Sequence, residues 1–326
     1  MAAKRLSGQQ SDRIAKREQT IIDEFNNGNA DNNLRQSLVV GSFGHDVIVE
    51  NTSDDEILCK THRDRTRPVC GDEVLWLSEN ENHGIIEAVL PRRSLLERPD
   101  SRGKMRTVAA NLDRIVIVIS QKPAFNEGLL DRYLVAASII DVEPVIVLNK
   151  VDLLDKQQHE EIHHRLDVYN KLGYTLLEIS AKQNTGVDEL AKQLAGHTCI
   201  LVGQSGVGKS SLVNKLLPDV DARTNDISDS TGKGKHTTTS TRLYHLPCGG
   251  HMIDSPGIRE FGLVHATSKE VENAYPEIRK AADECRFNDC KHQNEPGCAV
   301  LAALESGEIN RLRFDHFQRI LETIAD

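Results

Sequence analysis

Gly203-Gln204-Ser205-Gly206-Val207-Gly208-Lys209-Ser210 is a complete G-x-x-x-x-G-K-S phosphate loop, and its flanks decide the fold. A short apolar, strand-like run, Cys199-Ile200-Leu201-Val202, leads into it, and residues 209–217 leave it with helical spacing. Strand, glycine loop, helix is the setting in which this motif binds phosphate. The glycines let backbone N–H groups wrap a β-phosphate without Cβ clashes, and the helix N-terminus adds a favourable dipole. Lys209 is expected to bridge the β- and γ-phosphates, and Ser210 to place its hydroxyl on Mg²⁺. Gln204, Ser205, Val207 and Ser211 are expected to join Gly203, Gly206 and Gly208 around the nucleotide.

Working outward, two further motifs precede the loop instead of following it. Asn149-Lys150-Val151-Asp152 reads N-K-x-D, and Ser180-Ala181-Lys182 reads S-A-K. The Asp152 carboxylate can accept from guanine N1–H and the exocyclic amine, a donor pair adenine lacks. Lys150 can lay its stem across the base, and Ser180 and Ala181 can bring a backbone N–H to guanine O6. N-K-x-D alone is weak. Paired with S-A-K, each at a strand end, it is specific for guanine. A guanine-nucleotide domain ordinarily reads phosphate loop first and base motifs last, so the parts are rotated along this chain.

Downstream, Asp254-Ser255-Pro256-Gly257 follows a strand at 251–253. Asp254 is expected to hold Mg²⁺ through water, and the Gly257 amide to reach the γ-phosphate. Between lies TGKGKHTTTST at 231–241. A switch loop needs a threonine to complete Mg²⁺ coordination; Thr238 is the choice, with Thr237 and Thr239 as alternatives. Ras-like proteins carry a water-orienting Gln just after the D-x-x-G glycine. Here Gly257 is followed by Ile258, Arg259, Glu260 and Phe261, so slow intrinsic hydrolysis is expected. His236 is the best local substitute, and the catalytic set is His236, Lys209 and Thr238.

The remaining pattern organises the chain. RIVIVIS at 114–120 is an almost continuous apolar run, like a strand buried on both faces. Strands at 145–148, 175–179 and 199–202 alternate with helical stretches at 129–140, 158–172 and 187–194, which predicts a doubly wound α/β sheet over 107–266. Residues 37–90 carry five short strand-like runs, which predict a small barrel, an OB-fold first and an SH3-like barrel second. Residues 92–106 read as a basic linker with Arg92, Arg93, Arg98, Arg102, Lys104 and Arg106, completing a unit at 37–106. Residues 1–36 read as a disordered polar, basic tail. Residues 267–326 read as helical. In the last helix Ile309, Leu312, Phe317, Ile320 and Ile324 form a packing stripe, leaving Arg311, Arg313 and Arg319 for solvent or a partner.

That C-terminal unit contains Cys285-x₄-Cys290-x-His292-x₅-Cys298. Three thiolates and an imidazole make a full tetrahedral set for one structural Zn²⁺ with no open position. Clustered cysteines without a secretory context favour metal over disulfides. With 40 basic and 49 acidic residues the net charge is −9, which excludes a uniformly basic nucleic-acid binder and leaves local patches. No apolar run approaches the roughly 20 residues that span a bilayer, and the N-terminus lacks a signal-peptide core. A cytoplasmic monomer without membrane contact is expected.

Rotated guanine motifs, a β-barrel before them and C-x₄-C-x-H-x₅-C after them together resemble the RsgA family of circularly permuted GTPases, also called YjeQ or YloQ. His236–Thr239 (HTTT) and the DSPG at 254–257 are similar to that family as well. The resemblance covers roughly residues 37–326. It implies GTP hydrolysis to GDP and phosphate in late maturation of the 30S ribosomal subunit, stimulated by the subunit. It also implies an OB-fold that contacts 16S rRNA and a zinc unit that docks on the subunit. The competing reading is an rRNA-binding assembly scaffold with a mainly regulatory nucleotide site. A metabolic enzyme using ATP is opposed by Asp152 and the Ser180 loop.

Overall fold

The computed structural model describes residues 8–31, 33–44, 46–51, 53, 55–62, 65–99, 105–218, 241–255, 263 and 266–325. Five strands near the N-terminus are β1 (Leu34–Phe43), β2 (Asp46–Glu50), β3 (Glu56–Thr61), β4 (Glu73–Asn80) and β5 (His83–Val89). β2, β3 and most of β5 alternate more and less buried residues, as half-buried strands do. The long β1 pairs with β4 through Leu34–Leu38, and with β2 from Leu38 to Phe43, bending at a bulge between Val39 and Gly41. One strand thus serves two edges, and with β3 parallel to β5 the ring closes. This is the five-stranded OB arrangement. Val39, Val49, Ile57, Cys59, Val74 and Ile86 fill the barrel around Trp76, whose indole N–H donates to Ser37 Oγ at 2.9 Å.

Two expectations for this region fail. Residues 8–26 are not a disordered tail but a helix, α1 (Gly8–Asn26), lying on β5. Ile22 packs with Leu75 and Ala88, and the buried Glu18 carboxylate accepts from the Thr66 amide and hydroxyl, each at 2.8 Å. Glu18, Ile22 and Phe25 recur at helical spacing within a polar stretch, and such a helix gains its stability from the surface it meets. The basic segment is likewise not a free linker. It contains a hairpin of β6 (Leu95–Pro99) and β7 (Met105–Ala110). Arg92 forks onto the fully buried Asp72 with two 2.7 Å hydrogen bonds, and Arg93 meets Asp113 at 2.5 Å. Arg102 and Lys104 lie outside the described residues.

The second unit is a doubly wound sheet. β8 (Arg114–Ser120), β9 (Glu143–Asn149), β10 (Thr175–Ile179), β11 (Thr198–Val202) and β13 (His251–Asp254) run parallel in the order β10-β9-β8-β11-β13. Along β8, Ile115, Ile117 and Ile119 enter one core with α2 (Glu127–Ile139) and α3 (Lys156–Lys171). Val116 and Val118 enter another with α4 (Val187–Leu194) and α5 (Lys209–Leu216). An unbroken apolar run therefore serves both faces. β12 (Thr241–His245) is antiparallel to β13 and also to β1, so barrel and sheet form one continuous eleven-stranded surface. Arg242 pairs with Glu56, and His245 with Glu50 at 2.7 Å, across that seam.

Four helices complete the chain: α6 (Ser268–Asn273), α7 (Pro276–Ala282), α8 (Ala299–Ser306) and α9 (Arg311–Ala325). α9 packs on α2 and α6 with Phe317, Ile320 and Ile324 of the expected stripe facing the core, and two residues of that stripe's reading change places. Leu312 is exposed, whereas Arg313 is 2% exposed. The Arg313 guanidinium reaches Asp131 of α2 at 2.5 Å and Glu277 of α7 at 2.6 Å. His316 and Tyr169 share Asp131 at 2.6 and 3.0 Å. Burial pulls the Arg313 pKa down, but the two carboxylates outweigh it and raise the value above normal. Arg313 is therefore an internal tie, not a surface for a partner. No helix among the described residues is long and apolar enough to cross a membrane.

Candidate functional site

The guanine and phosphate motifs meet at the C-terminal ends of the parallel strands, where open α/β sheets bind ligands. Asn149 ends β9 and is 2% exposed. Its amide donates to the Val207 carbonyl in the phosphate loop at 2.9 Å, and its Oδ1 accepts from the Ala181 N–H at 3.2 Å. One side chain thereby joins two loops that the chain separates. Lys150 takes a left-handed backbone, φ 67°, and its ammonium donates to the carbonyls of Gly206 and Lys122 at 2.5 and 2.8 Å. Ser180 donates to Asp152 Oδ1 at 2.6 Å and accepts from the Gln183 N–H at 3.0 Å. The Asp152 carboxylate is thus oriented from the neighbouring strand end.

The phosphate loop needs its glycines here for space as well as for conformation. At Gly203, φ 139°, a Cβ would stand 2.2 Å from the Val118 carbonyl oxygen. At Gly208, φ 98°, it would stand 2.3 Å from Asn149 Nδ2. α5 starts at Lys209 with Gly208 as its cap, so Ser210 and Ser211 sit in its first turn. The Lys209 ammonium donates to the Gly203 and Gln204 carbonyls, each at 2.7 Å. Asp254 ends β13 opposite Arg242, and Thr241 donates to Ser255 at 3.1 Å beside it. A separate cavity of about 830 Å³, lined in part by Arg93, Asp113, Glu143 and His197, opens at the opposite ends of the strands.

The second constellation is the predicted metal set. Ligand atoms of Cys285, Cys290, His292 and Cys298 all lie within 4.8 Å of one another. The Cys285 and Cys298 sulfurs are 3.9 Å apart, close to the roughly 3.8 Å implied by tetrahedral Zn–S bonds of about 2.3 Å. His292 Nδ1 stands 3.4 Å from the Cys298 sulfur and 3.7 Å from that of Cys285. Its Nε2 donates to Glu272 of α6 at 3.1 Å, which leaves Nδ1 bare toward the thiols, the tautomer a metal ligand requires. Burial opposes ionisation of Glu272, but hydrogen bonds from Lys269 and His292 bring its carboxyl below the ordinary range. Burial, with neighbouring thiols, pushes the Cys290 thiol up to about 12 and raises Cys298 too. Metal must displace those protons, so affinity falls as the pH is lowered. Three thiolates and an oriented imidazole suit zinc.

The comparisons with known proteins agree with this geometry. The family model described as RsgA GTPase matches residues 89–264. A relative in Pseudomonas aeruginosa (strain LESB58), small ribosomal subunit biogenesis GTPase RsgA, is 46% identical over 322 residues, 99% of this chain and 95% of the relative. The chain belongs to the RsgA GTPase family. The protein of the same name in Azotobacter vinelandii is 46% identical over 327 residues, with the same shares of both chains. The crystal structure of YjeQ from Thermotoga maritima is similar with a TM-score of 0.73 and 30% identity, covering 90% of this chain and 99% of that one. The structure of YloQ, a circularly permuted GTPase, gives 0.71 and 27% over 90% and 96%. The fold is therefore a circularly permuted GTPase sheet with an OB-type barrel before it and a helical Cys₃His unit after it.

Of the residues singled out from sequence, Asn149, Lys150, Asp152, Ser180, Ala181 and residues 203–211 share one site, with Asp254 at the end of a neighbouring strand. His236, the threonines at 237–239 and Gly257 lie outside the described residues. Glu272 escaped the sequence reading, because a glutamate on another helix carries no spacing signal toward His292. So did Glu295, whose carboxylate accepts from the amides of Lys291, Gln293 and Asn294 at 2.9, 2.8 and 3.1 Å. Those bonds lower its carboxyl to about 2 and hold the turn between His292 and Cys298.

Proposed function

We propose that this chain hydrolyses GTP during late maturation of the 30S ribosomal subunit, and that the subunit stimulates the hydrolysis. The observation that carries the reading is the Asn149 bridge: base motif, second base loop and phosphate loop are bonded into one unit despite their rotated order. The relatives' name, small ribosomal subunit biogenesis GTPase, supports the substrate and the partner.

On this reading Asp152 accepts from guanine, with the Ser180–Ala181 loop at O6 and Lys150 over the base. Amides of the phosphate loop hold the β-phosphate, and Lys209 offsets charge that develops on the γ-phosphate. Mg²⁺ would be held by Ser210, Thr238 and, through water, Asp254, and would neutralise phosphate charge when bound. The residues described fit it: a hydroxyl in the first turn of α5 and a carboxylate at a strand end. His236 positions water, and the Gly257 amide senses the γ-phosphate. One structural Zn²⁺ on Cys285, Cys290, His292 and Cys298 fixes the C-terminal unit and supplies no step of the reaction.

The division at 37–106, 107–266 and 267–326 assigns rRNA contact to the barrel and subunit docking to the zinc unit. The chain works as a cytoplasmic monomer without membrane contact. GTP turnover with and without purified 30S subunits tests the proposal. Stimulation of at least tenfold is expected, and turnover unchanged by subunits refutes it.

A further inference from the structure

His159 and His163 stand one helical turn apart on α3, so they share a face. That face meets Glu178 of β10. His159 Nε2 lies 2.9 Å from one carboxylate oxygen, and His163 Nε2 contacts the other. The two rings are 4.4 Å apart between centroids and tilted by 51°. The two ring nitrogens and the carboxylate oxygen all lie within 4.8 Å of one another. Among the described residues, only this trio and the Cys₃His set bring three such donors together. One carboxylate charge balances only one imidazolium, so ion pairing alone does not call for the second histidine.

We propose that His159, His163 and Glu178 form a second metal site, for an imidazole-preferring divalent cation such as Zn²⁺ or Ni²⁺. Two imidazole nitrogens and a carboxylate oxygen suit the later first-row metals. Mg²⁺ and Ca²⁺ take oxygen ligands instead. Three protein ligands leave room for water, which marks an exchangeable site, unlike the closed four-ligand set. The side chains are 42%, 46% and 32% exposed, so an ion enters directly from solvent. The site ties α3 to β10, the two elements flanking the Asp152–Ser180 contact.

The test is calorimetric titration of the full zinc-replete chain with NiCl₂, in a non-chelating buffer with excess Mg²⁺, while released zinc is followed with a chromogenic chelator. One further equivalent should bind without zinc release. His159→Ala/His163→Ala should weaken it at least tenfold and leave zinc content unchanged. His163→Ala alone, an exposed change to the best helix former, should weaken it as well and guards against misfolding of the double variant. No further equivalent in the wild type overturns the proposal. Nickel uptake matched by zinc release, or equal affinity in the variants, also overturns it, because the ion then sits elsewhere.

Discussion

Asn149→Ala should uncouple the base loops from the phosphate loop. The side chain makes two buried hydrogen bonds, to Val207 and from Ala181, each contributing about 0.5–1.5 kcal/mol net. Truncation also leaves a carbonyl and an amide without partners in a site that is 2% exposed, at about 1–3 kcal/mol each where water does not replace them. A total of about 3 kcal/mol is reasonable, divided between fold stability and nucleotide binding. Half of it in binding raises Kd about tenfold. Displacement of a fluorescent GDP analogue measures this, with inosine and xanthosine diphosphates as competitors. Because both bonds join protein groups that every nucleotide complex shares, all three nucleotides should weaken by a similar factor. Gly208→Ala should reproduce the defect from the other side, since its Cβ would press on Asn149 Nδ2 at 2.3 Å. Full GDP affinity in a folded Asn149→Ala protein, or a loss confined to guanine, refutes the reasoning.

Asp152→Asn should instead change the ratio between bases, costing GDP about 1–3 kcal/mol while xanthosine diphosphate gains; an unaltered ratio in the same displacement assay would end its assigned role. Glu272→Gln should lower zinc affinity by about 10–100-fold, read by chelator competition. Because Glu272 titrates below its ordinary 4.5, its support for the folded cluster is present at pH above 4.5 and is lost as pH falls through its lowered value. The wild-type advantage over the variant should therefore persist at pH 6 and vanish in strong acid. Arg313→Ala should destabilise the chain by about 3 kcal/mol, because the buried Asp131 and the part-buried Glu277 both lose their guanidinium partner; a melting temperature within 2 °C of wild type would contradict this, since even 1 kcal/mol shifts it by about 2–4 °C. His236→Ala should cut subunit-stimulated GTP turnover by two or more orders of magnitude, about 3 kcal/mol in barrier, with GTP affinity preserved; normal stimulated turnover would leave catalysis to the subunit.

The chemistry of this chain was legible in its sequence because it resides in short, local patterns. A glycine loop between a strand and a helix, N-K-x-D, S-A-K and four spaced metal ligands each place their groups within a few residues. Every one lies at a strand end or in a tight turn, so rotating the order leaves the local signals intact. The barrel strands were equally readable from alternation and turn residues. Tertiary structure decided whatever depended on partners far along the chain. Arg313 looked like surface until Asp131, 182 residues away, proved to be its counter-ion. Arg92 looked like part of a basic linker until the buried Asp72 was found beside it. α1 looked like a tail because its narrow apolar stripe is stable only on β5. The same holds for the continuity of barrel and sheet through β12 and β1: backbone pairing across that distance leaves no periodicity in either strand. Local geometry is written in neighbouring residues, whereas the neutralisation of a buried charge or the covering of an apolar face depends on which distant surfaces the fold brings together.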